Sequence, residues 1–161
     1  MKRKQTTAIV IHHSASRPST TVAEIKLWHT DPEPWGRGWD DIGYHWIITE
    51  DGALHAGRPE DEWGTQVAHF NDRSLGICLT GNFDKDYPTG PQINALISLL
   101  IRLVKKYGLQ YWNIYGHKDI KRFFIFNTTA TNCPGNHLYA LLPDIRRRVM
   151  TAIASEKVVP A

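Results

Sequence analysis

The stretch Ala8-Ile9-Val10-Ile11-His12 is a continuous apolar run, rich in β-branched residues, that ends in a histidine. Such a run predicts a short, fully buried strand. A second histidine, His13, follows directly. Because side chains alternate between the two faces of a strand, His12 and His13 are expected to point in opposite directions. Only one of them can face a given site, and the alternation does not say which.

Periodicity and turn signals predict the remaining elements. Thr21 and Glu24 have the spacing of a capping box, which predicts a helix that begins after Thr21 and ends near Thr30. Asp51-Gly52 is a two-residue hairpin signal. Strands are predicted at Tyr44–Thr49, Ala53–Gly57, Leu75–Thr80 and Trp112–Tyr115, and further helices at Pro91–Tyr107 and Pro143–Ala154. This order predicts one α/β domain, in which a central mixed sheet is flanked by helices.

Length and composition set the limits of this domain. The chain has 161 residues and a formal net charge of +3. That length suits a single domain, whose core we expect over about residues 8–154, with residues 1–7 and 155–161 flexible. No apolar run is long enough to span a bilayer, and the apolar run near the basic N-terminus is too short for a signal peptide. We therefore expect synthesis in the cytoplasm.

A metal site is the main chemical signal in the sequence. Cys133 lies in Thr131-Asn132-Cys133-Pro134-Gly135, sixteen positions after His117 and far downstream of the pair His12-His13. One thiolate and two imidazoles are ligands that suit zinc, and three protein ligands leave the fourth position open, as in catalytic sites. The alternative is a buried structural cysteine with scattered histidines, because these residues do not form a short local motif. Two cysteines do not make a disulfide scaffold.

Several stretches, taken in order, resemble one family. They are Ile9-Val10-Ile11-His12-His13-Ser14-Ala15-Ser16, Gly43-Tyr44-His45-Trp46-Ile47-Ile48, Asp51-Gly52, Ser74-Leu75-Gly76-Ile77, Gly81-Asn82-Phe83, Gly116-His117-Lys118-Asp119 and Thr131-Asn132-Cys133-Pro134-Gly135. Together they resemble the zinc-dependent N-acetylmuramoyl-L-alanine amidases of the type 2 class, which includes peptidoglycan-recognition proteins and amidase-type phage lysozymes. The resemblance extends from about Ala8 to about Arg148 and implies their fold.

The resemblance also implies roles for individual residues. His12, His117 and Cys133 match the ligands of one zinc ion, and Tyr44 matches the active-site tyrosine. Thr131 occupies a position that is lysine in some phage lysozymes and threonine in many recognition-protein amidases. A tyrosine is a poor general base, so we expect Tyr44 to donate a hydrogen bond. The alternatives are a packed strand tyrosine and, for Thr131, a hydroxyl that only caps its own loop.

The chain departs from the family pattern in the loop before Asn71. Many members have a histidine where this chain has Gln66, and the nearby His69 is offset. We predict Asn71, His69 and Gln66 as substrate contacts, although this departure puts the contact at Gln66 in doubt. His29, His55 and His137 have no assigned role.

The interval between His117 and Cys133 is about twice the usual family length, and we expect it to be a loop. It includes Lys121-Arg122-Phe123-Phe124-Ile125-Phe126. Packing of this segment against the core is favoured, because burying four large apolar side chains is favourable. There are two alternatives for this segment. It could line a substrate groove, or it could form a basic and aromatic surface that contacts an anionic envelope.

The resemblance predicts hydrolysis of the amide bond between N-acetylmuramic acid and L-alanine in peptidoglycan, with one Zn²⁺ as cofactor. We expect a monomeric phage endolysin that accumulates in the host cytoplasm and reaches the wall once the membrane is opened. Peptidoglycan is the expected partner, and no nucleic acid is expected. The alternatives are a non-catalytic peptidoglycan-binding module and a bacterial remodelling or effector amidase.

Overall fold

The computed structural model describes the backbone of residues 1–124 and 130–156, and the side chains of these residues except 123 and 124. The strands are β1 (Ala8–His13), β2 (Trp46–Ile48), β3 (Leu54–Ala56), β4 (Ser74–Leu79) and β5 (Ile114–Gly116). The α-helices are α1 (Val22–Thr30), α2 (Gly90–Tyr107), α3 (His117–Phe124) and α4 (Asn136–Glu156), and a 3₁₀ turn spans Tyr111–Asn113.

The strands form one mixed sheet in the order β3-β2-β4-β1-β5. β1 lies parallel to both β4 and β5, and β2 lies parallel to β4, whereas β3 pairs antiparallel with β2. The predicted hairpin is therefore confirmed, although five residues rather than two separate the paired strands. The prediction of a single α/β domain with a mixed sheet and flanking helices is also confirmed.

The two faces of the sheet have different roles. One face carries Ile9, Ile11 and the alternate residues of β4, and α2 and α4 pack against it to form the largest apolar cluster. Two smaller apolar clusters lie on the other face, one around Val10 and one around Ile47. His12 lies in register with Cys78 of β4. Parallel register partners project to the same face, so this second face carries the candidate site.

Local sequence signals explain the helices that were predicted correctly. Thr21 and Glu24 form the capping box of α1. Thr89 caps α2 in the same way with Gln92, and Gly108 ends that helix in the left-handed conformation at φ 64°. The signals at Thr21, Glu24 and Gly108 act within a few residues, which is why the sequence alone indicated these two helices. The cap at Thr89 is a finding of the structure.

The last helix begins earlier than predicted. α4 starts at Asn136 rather than at Pro143, which lies inside the helix. Leu138 and Leu142 are buried in the main core and extend the apolar stripe of α4 toward its start. The Asp84 carboxylate accepts a hydrogen bond from the Asn136 N–H and caps the helix from a distant loop. Burial and capping thus outweigh the one backbone hydrogen bond that a proline removes.

A short helix replaces part of the loop expected after His117. α3 spans His117–Phe124, and the buried Asp119 carboxylate accepts a hydrogen bond from the N–H of Gly116. Ile120 packs into the cluster around Val10. The apolar side chains of the segment 121–126, for which we expected packing, lie outside the described residues.

Arg3, which lies in the segment predicted to be flexible, makes contacts with the rest of the chain. The Arg3 guanidinium donates hydrogen bonds to the backbone carbonyls of Glu60, Glu62 and Ser74. At the other end, residues 155 and 156 belong to α4, and residues 157–161 lie outside the described part of the chain. No helix among the described residues is long and apolar enough to cross a membrane.

Candidate active site

Three segments that are distant in sequence bring His12, His117 and Cys133 together. His12 lies near the end of β1, His117 begins α3 directly after β5, and Cys133 lies in the turn before α4. One potential ligand atom from each residue lies within 4.8 Å of the other two. The rings of His12 and His117 have centroids 4.7 Å apart. The sequence predicted these three residues as a group, and the fold places them as a group.

The protonation states of these side chains suit a metal ion. Burial lowers the pKa of His12 well below its usual value, and burial lowers that of His117 to about 4. Both imidazoles are therefore neutral at neutral pH, which is the form that binds metals. Burial raises the pKa of the Cys133 thiol to about 12, so its thiolate needs a nearby cation for compensation. Two neutral nitrogens and one such sulfur fit zinc.

Hydrogen bonds hold the cluster from outside. The His12 Nε2 lies 2.6 Å from Gln66 Oε1, while its Nδ1 lies 3.4 Å from Cys133 Sγ. The Thr131 hydroxyl oxygen accepts a hydrogen bond from the Cys133 N–H at 3.1 Å. The N–H of Lys118, in α3, donates to the Cys133 carbonyl at 2.9 Å. The turn that carries the cysteine is thereby tied to the helix that carries His117.

The turn that carries Cys133 is held by two backbone hydrogen bonds. The bond from the Lys118 N–H to the Cys133 carbonyl connects it to α3, and the bond from the Gly135 N–H to the Asn132 carbonyl closes it. Gly135 adopts a φ of 86°, and an added Cβ there would lie 2.5 Å from the carbonyl carbon of Phe83. Only glycine fits this position without a backbone shift. The sequence Cys133-Pro134-Gly135 is therefore tightly constrained next to the cluster.

The cluster opens into a groove of about 510 Å³. Tyr44 lies beside His12, with ring centroids 5.2 Å apart, and His29 follows Tyr44 at 5.4 Å. Trp39 continues this row of rings at 4.8 Å from His29, and the Arg37 guanidinium lies over the Trp39 ring. The groove therefore extends from the candidate metal site along an aromatic wall to an exposed cation.

Tyr44 is partly exposed to this groove, and the thiol of Cys78 is buried behind it. Burial, together with the sulfurs of Cys78 and Cys133, raises the pKa of Tyr44 well above its usual value. The phenol therefore keeps its proton at neutral pH and can donate a hydrogen bond. The neighbouring His45 is buried, and its Nδ1 accepts a hydrogen bond from the Gly76 N–H.

The structure brings most of the predicted site residues together. Thr131, Gln66 and Asn71 line the same groove as the cluster. Gln66 turns its amide toward His12 and Ser74 rather than into open solvent. Asn71 accepts hydrogen bonds from the backbone of its own loop. His69 is exposed and does not line this groove, because it lies in a neighbouring depression.

His29 is a groove residue that the sequence reasoning missed. It follows Ile25 by four positions and Val22 by seven, so helical spacing places it on the inward face of α1. Its Nδ1 accepts a hydrogen bond from the Gly43 N–H, and burial lowers its pKa to about 4. The periodicity of α1 was the signal that could have identified it.

This arrangement defines a class of site. Two neutral imidazoles, one cysteine sulfur and a protonated phenol at an open groove are the groups of a mononuclear metal-dependent hydrolase. The sequence profile of the N-acetylmuramoyl-L-alanine amidase family matches residues 2–136. The chain belongs to this family.

Individual relatives agree with this assignment. The endolysin of Escherichia phage T7 is 40% identical over 114 residues, which are 66% of this chain and 72% of that protein. Peptidoglycan-recognition protein SC1a/b of Drosophila simulans is 31% identical over 138 residues, or 81% of this chain and 68% of that protein. The solved N-acetylmuramoyl-L-alanine amidase LysC from Clostridium intestinale superposes with a TM-score of 0.77 and 32% identity, covering 91% of this chain and 86% of that one.

Proposed function

We propose that the chain is a zinc-dependent amidase that hydrolyses the bond between the lactyl group of N-acetylmuramic acid and L-alanine in bacterial peptidoglycan. The observation that carries this proposal is the meeting of His12, His117 and Cys133 at the end of a groove that also contains Tyr44. The family assignment indicates which reaction is catalysed. The groove of about 510 Å³ offers the space in which the substrate would bind.

The three clustered residues would hold the zinc ion. An ion held by them would supply Lewis acidity for activating water and polarising a carbonyl. Three protein ligands leave a coordination position open, as hydrolytic zinc sites require. His12 and His117 bring no charge to the site, and Cys133 brings one negative charge when it is deprotonated.

Tyr44 acts on the substrate as a hydrogen-bond donor. Its phenol stays protonated at neutral pH because its pKa is raised, so it cannot serve as a general base. A donor beside the scissile carbonyl stabilises the negative charge that develops on the oxygen during attack. As the amine of L-alanine departs, Tyr44 can relay a proton to it, giving up the phenol hydrogen and regaining one that the attacking water releases.

The remaining groove residues bind the substrate and orient it. The Thr131 oxygen accepts from the Cys133 N–H, which leaves the hydroxyl hydrogen available to a substrate carbonyl. Arg37 is exposed at the far end of the groove and provides a positive charge for a carboxylate of the peptide. Asn71 lies at the groove wall, and its amide N–H₂ remains a candidate substrate donor. His69 reaches the substrate only if the ligand extends into the neighbouring depression.

We further propose that the chain acts as a phage endolysin. Its relatives include proteins described as endolysins from phages of enterobacteria. In this setting a monomer accumulates in the host cytoplasm and meets peptidoglycan once the membrane has been opened. A bacterial remodelling or effector amidase would use the same groove.

A peptidoglycan-binding module without catalysis is the second candidate, and the recognition proteins among the relatives favour it. The two candidates differ in the metal site, because binding alone needs the groove but not the metal ligands. The complete set of His12, His117 and Cys133 therefore supports the enzyme over the binding module.

Mass spectrometry of the products released from purified sacculi tests the proposal. Free stem peptides that begin at L-alanine are expected, and they should disappear with a zinc chelator and return with added zinc. A Cys133→Ser variant is the matched control, since it removes one ligand and little volume. A protein that sediments with the sacculi but releases no such peptides would be a binding module instead.

A further inference from the structure

The side chain of Gln66 is buried between the candidate metal site and the sheet. Its Oε1 lies 2.6 Å from His12 Nε2, and its Nε2 donates to the Ser74 hydroxyl at 2.7 Å. The Ser74 hydroxyl in turn donates to the Phe70 carbonyl at 2.6 Å. Three hydrogen bonds thus form a continuous chain from a backbone carbonyl to the imidazole of His12.

The Phe70 carbonyl at one end of this series of hydrogen bonds determines which group donates in each of them. A backbone carbonyl can only accept, so the Ser74 hydroxyl must donate its hydrogen to Phe70. The hydroxyl oxygen then accepts from Gln66, which requires the N–H₂ side of the amide to face Ser74. The carbonyl oxygen of the Gln66 amide consequently faces His12. Because that oxygen can only accept, the Nε2 of His12 must carry the hydrogen.

A neutral imidazole has one N–H, so a hydrogen on Nε2 leaves the lone pair on Nδ1. Nδ1 is also the atom of His12 that lies 3.4 Å from Cys133 Sγ. The nitrogen of His12 that has a free lone pair therefore faces Cys133, and the nitrogen that carries the hydrogen faces Gln66.

We propose that Gln66 is a positioning residue that holds His12 in the tautomer and orientation required for metal binding through Nδ1. The Phe70 carbonyl sets this tautomer through Ser74. The inference rests on the proposed function only in assuming that a metal ion binds at the His12–His117–Cys133 cluster. It assigns Gln66 a role different from the substrate contact that the sequence predicted.

The residues around Gln66 fix its backbone and leave room for its side chain. Asn71 Oδ1 accepts from the backbone N–H of Gln66 at 3.0 Å and from that of Val67 at 2.9 Å, which fixes the loop. A Cβ added at Gly76 would lie 2.7 Å from Gln66 Cγ, and one added at Gly64 would lie 3.1 Å from it. Larger residues at these two positions would push the amide away from His12.

The variant Gln66→Met tests this role, because methionine keeps the length of the side chain but makes neither hydrogen bond. We expect its zinc affinity, measured by competition with a chromophoric chelator, to fall roughly 10- to 100-fold, the usual effect of losing a group that orients a metal ligand. Gln66→Glu retains an oxygen that can accept from His12, so it should recover most of the affinity.

Gln92→Met is the matched control. Gln92 is another buried glutamine, and its amide donates to the Thr80 carbonyl at 2.9 Å on the opposite side of the sheet. The same chemical change there should lower the stability and leave the zinc affinity unchanged. Equal losses of zinc affinity in the two methionine variants would show a general structural effect and overturn the inference.

Long-range ¹H–¹⁵N NMR spectra of the zinc-loaded protein provide a readout that does not depend on activity. We expect His12 to bind zinc through Nδ1 and to carry its hydrogen on Nε2; zinc on Nε2 would refute the inference. The zinc affinity of Gln66→Met and the peptide release by the wild type test two different claims. If Gln66→Met binds zinc as tightly as the wild type, and the wild type releases peptides in a zinc-dependent way, the role of Gln66 is refuted and the proposed function stands. If Gln66→Met binds zinc more weakly, but the wild type releases no peptides, the role of Gln66 is supported and the proposed function is refuted.

Discussion

The Glu60 carboxylate is the centre of a charged network remote from the groove, and its substitution by glutamine tests how much that network stabilises the fold. It accepts hydrogen bonds at 2.7 Å from Trp46 Nε1, Lys106 Nζ and the Tyr107 hydroxyl, and Arg102 lies at 3.3 Å. Burial acts to raise the pKa of Glu60, but the hydrogen bonds from Lys106, Tyr107 and Trp46 outweigh it and lower the pKa to about 2.

The size of this shift sets the expected effect. A fall from 4.5 to about 2, at about 1.4 kcal/mol per pKa unit, corresponds to roughly 3 kcal/mol as an upper bound. Solvent screening reduces the expected value to about 1–2 kcal/mol. Because the folded-state pKa is depressed, this contribution is fully present above pH 4.5 and is lost as the pH falls toward 2.

Urea denaturation of the wild type and Glu60→Gln across this pH range measures the contribution. We expect the variant to be less stable by about 1–2 kcal/mol at pH 7 and the difference to shrink steadily below pH 4.5. Asp61→Asn is the control, since Asp61 is the exposed neighbouring carboxylate and its substitution removes the same charge. If the difference in the free energy of unfolding between the wild type and Glu60→Gln does not depend on pH, the charged network is not its cause. The same conclusion follows if Asp61→Asn is destabilised as much as Glu60→Gln.

Three further predictions concern the site, its supporting turn and the core. Tyr44→Phe should lower kcat roughly 100-fold with little change in KM in assays on purified sacculi, because one transition-state donor is lost; an unchanged kcat would exclude the donor role. Gly135→Ala should lower the free energy of unfolding by roughly 2–4 kcal/mol in urea denaturation, since the new Cβ meets the Phe83 backbone at positive φ; wild-type stability would contradict this steric argument. Leu100→Ala should cost about 2–5 kcal/mol by the same measurement, because Leu100 is fully buried in the main core; a loss below about 1 kcal/mol would mean that the core closes around the smaller side chain.

The sequence by itself determined the elements whose signals are local. The capping box at Thr21 and Glu24, the apolar stripe of α2 and the buried run of β1 each lie within one element. The motif order also predicted that His12, His117 and Cys133 form a group. Local patterns succeed here because capping and amphipathic burial depend on residues a few positions apart.

Only the tertiary structure decided the features that depend on distant partners. α3 and the first turns of α4 form where burial and caps from other segments stabilise them, including the cap that Asp84 provides. Gln66 faces His12 because the chain folds the loop before β4 over the end of β1. No local pattern in the sequence encodes such a contact, since its partners lie 54 positions apart. Their meeting is a property of the packed sheet.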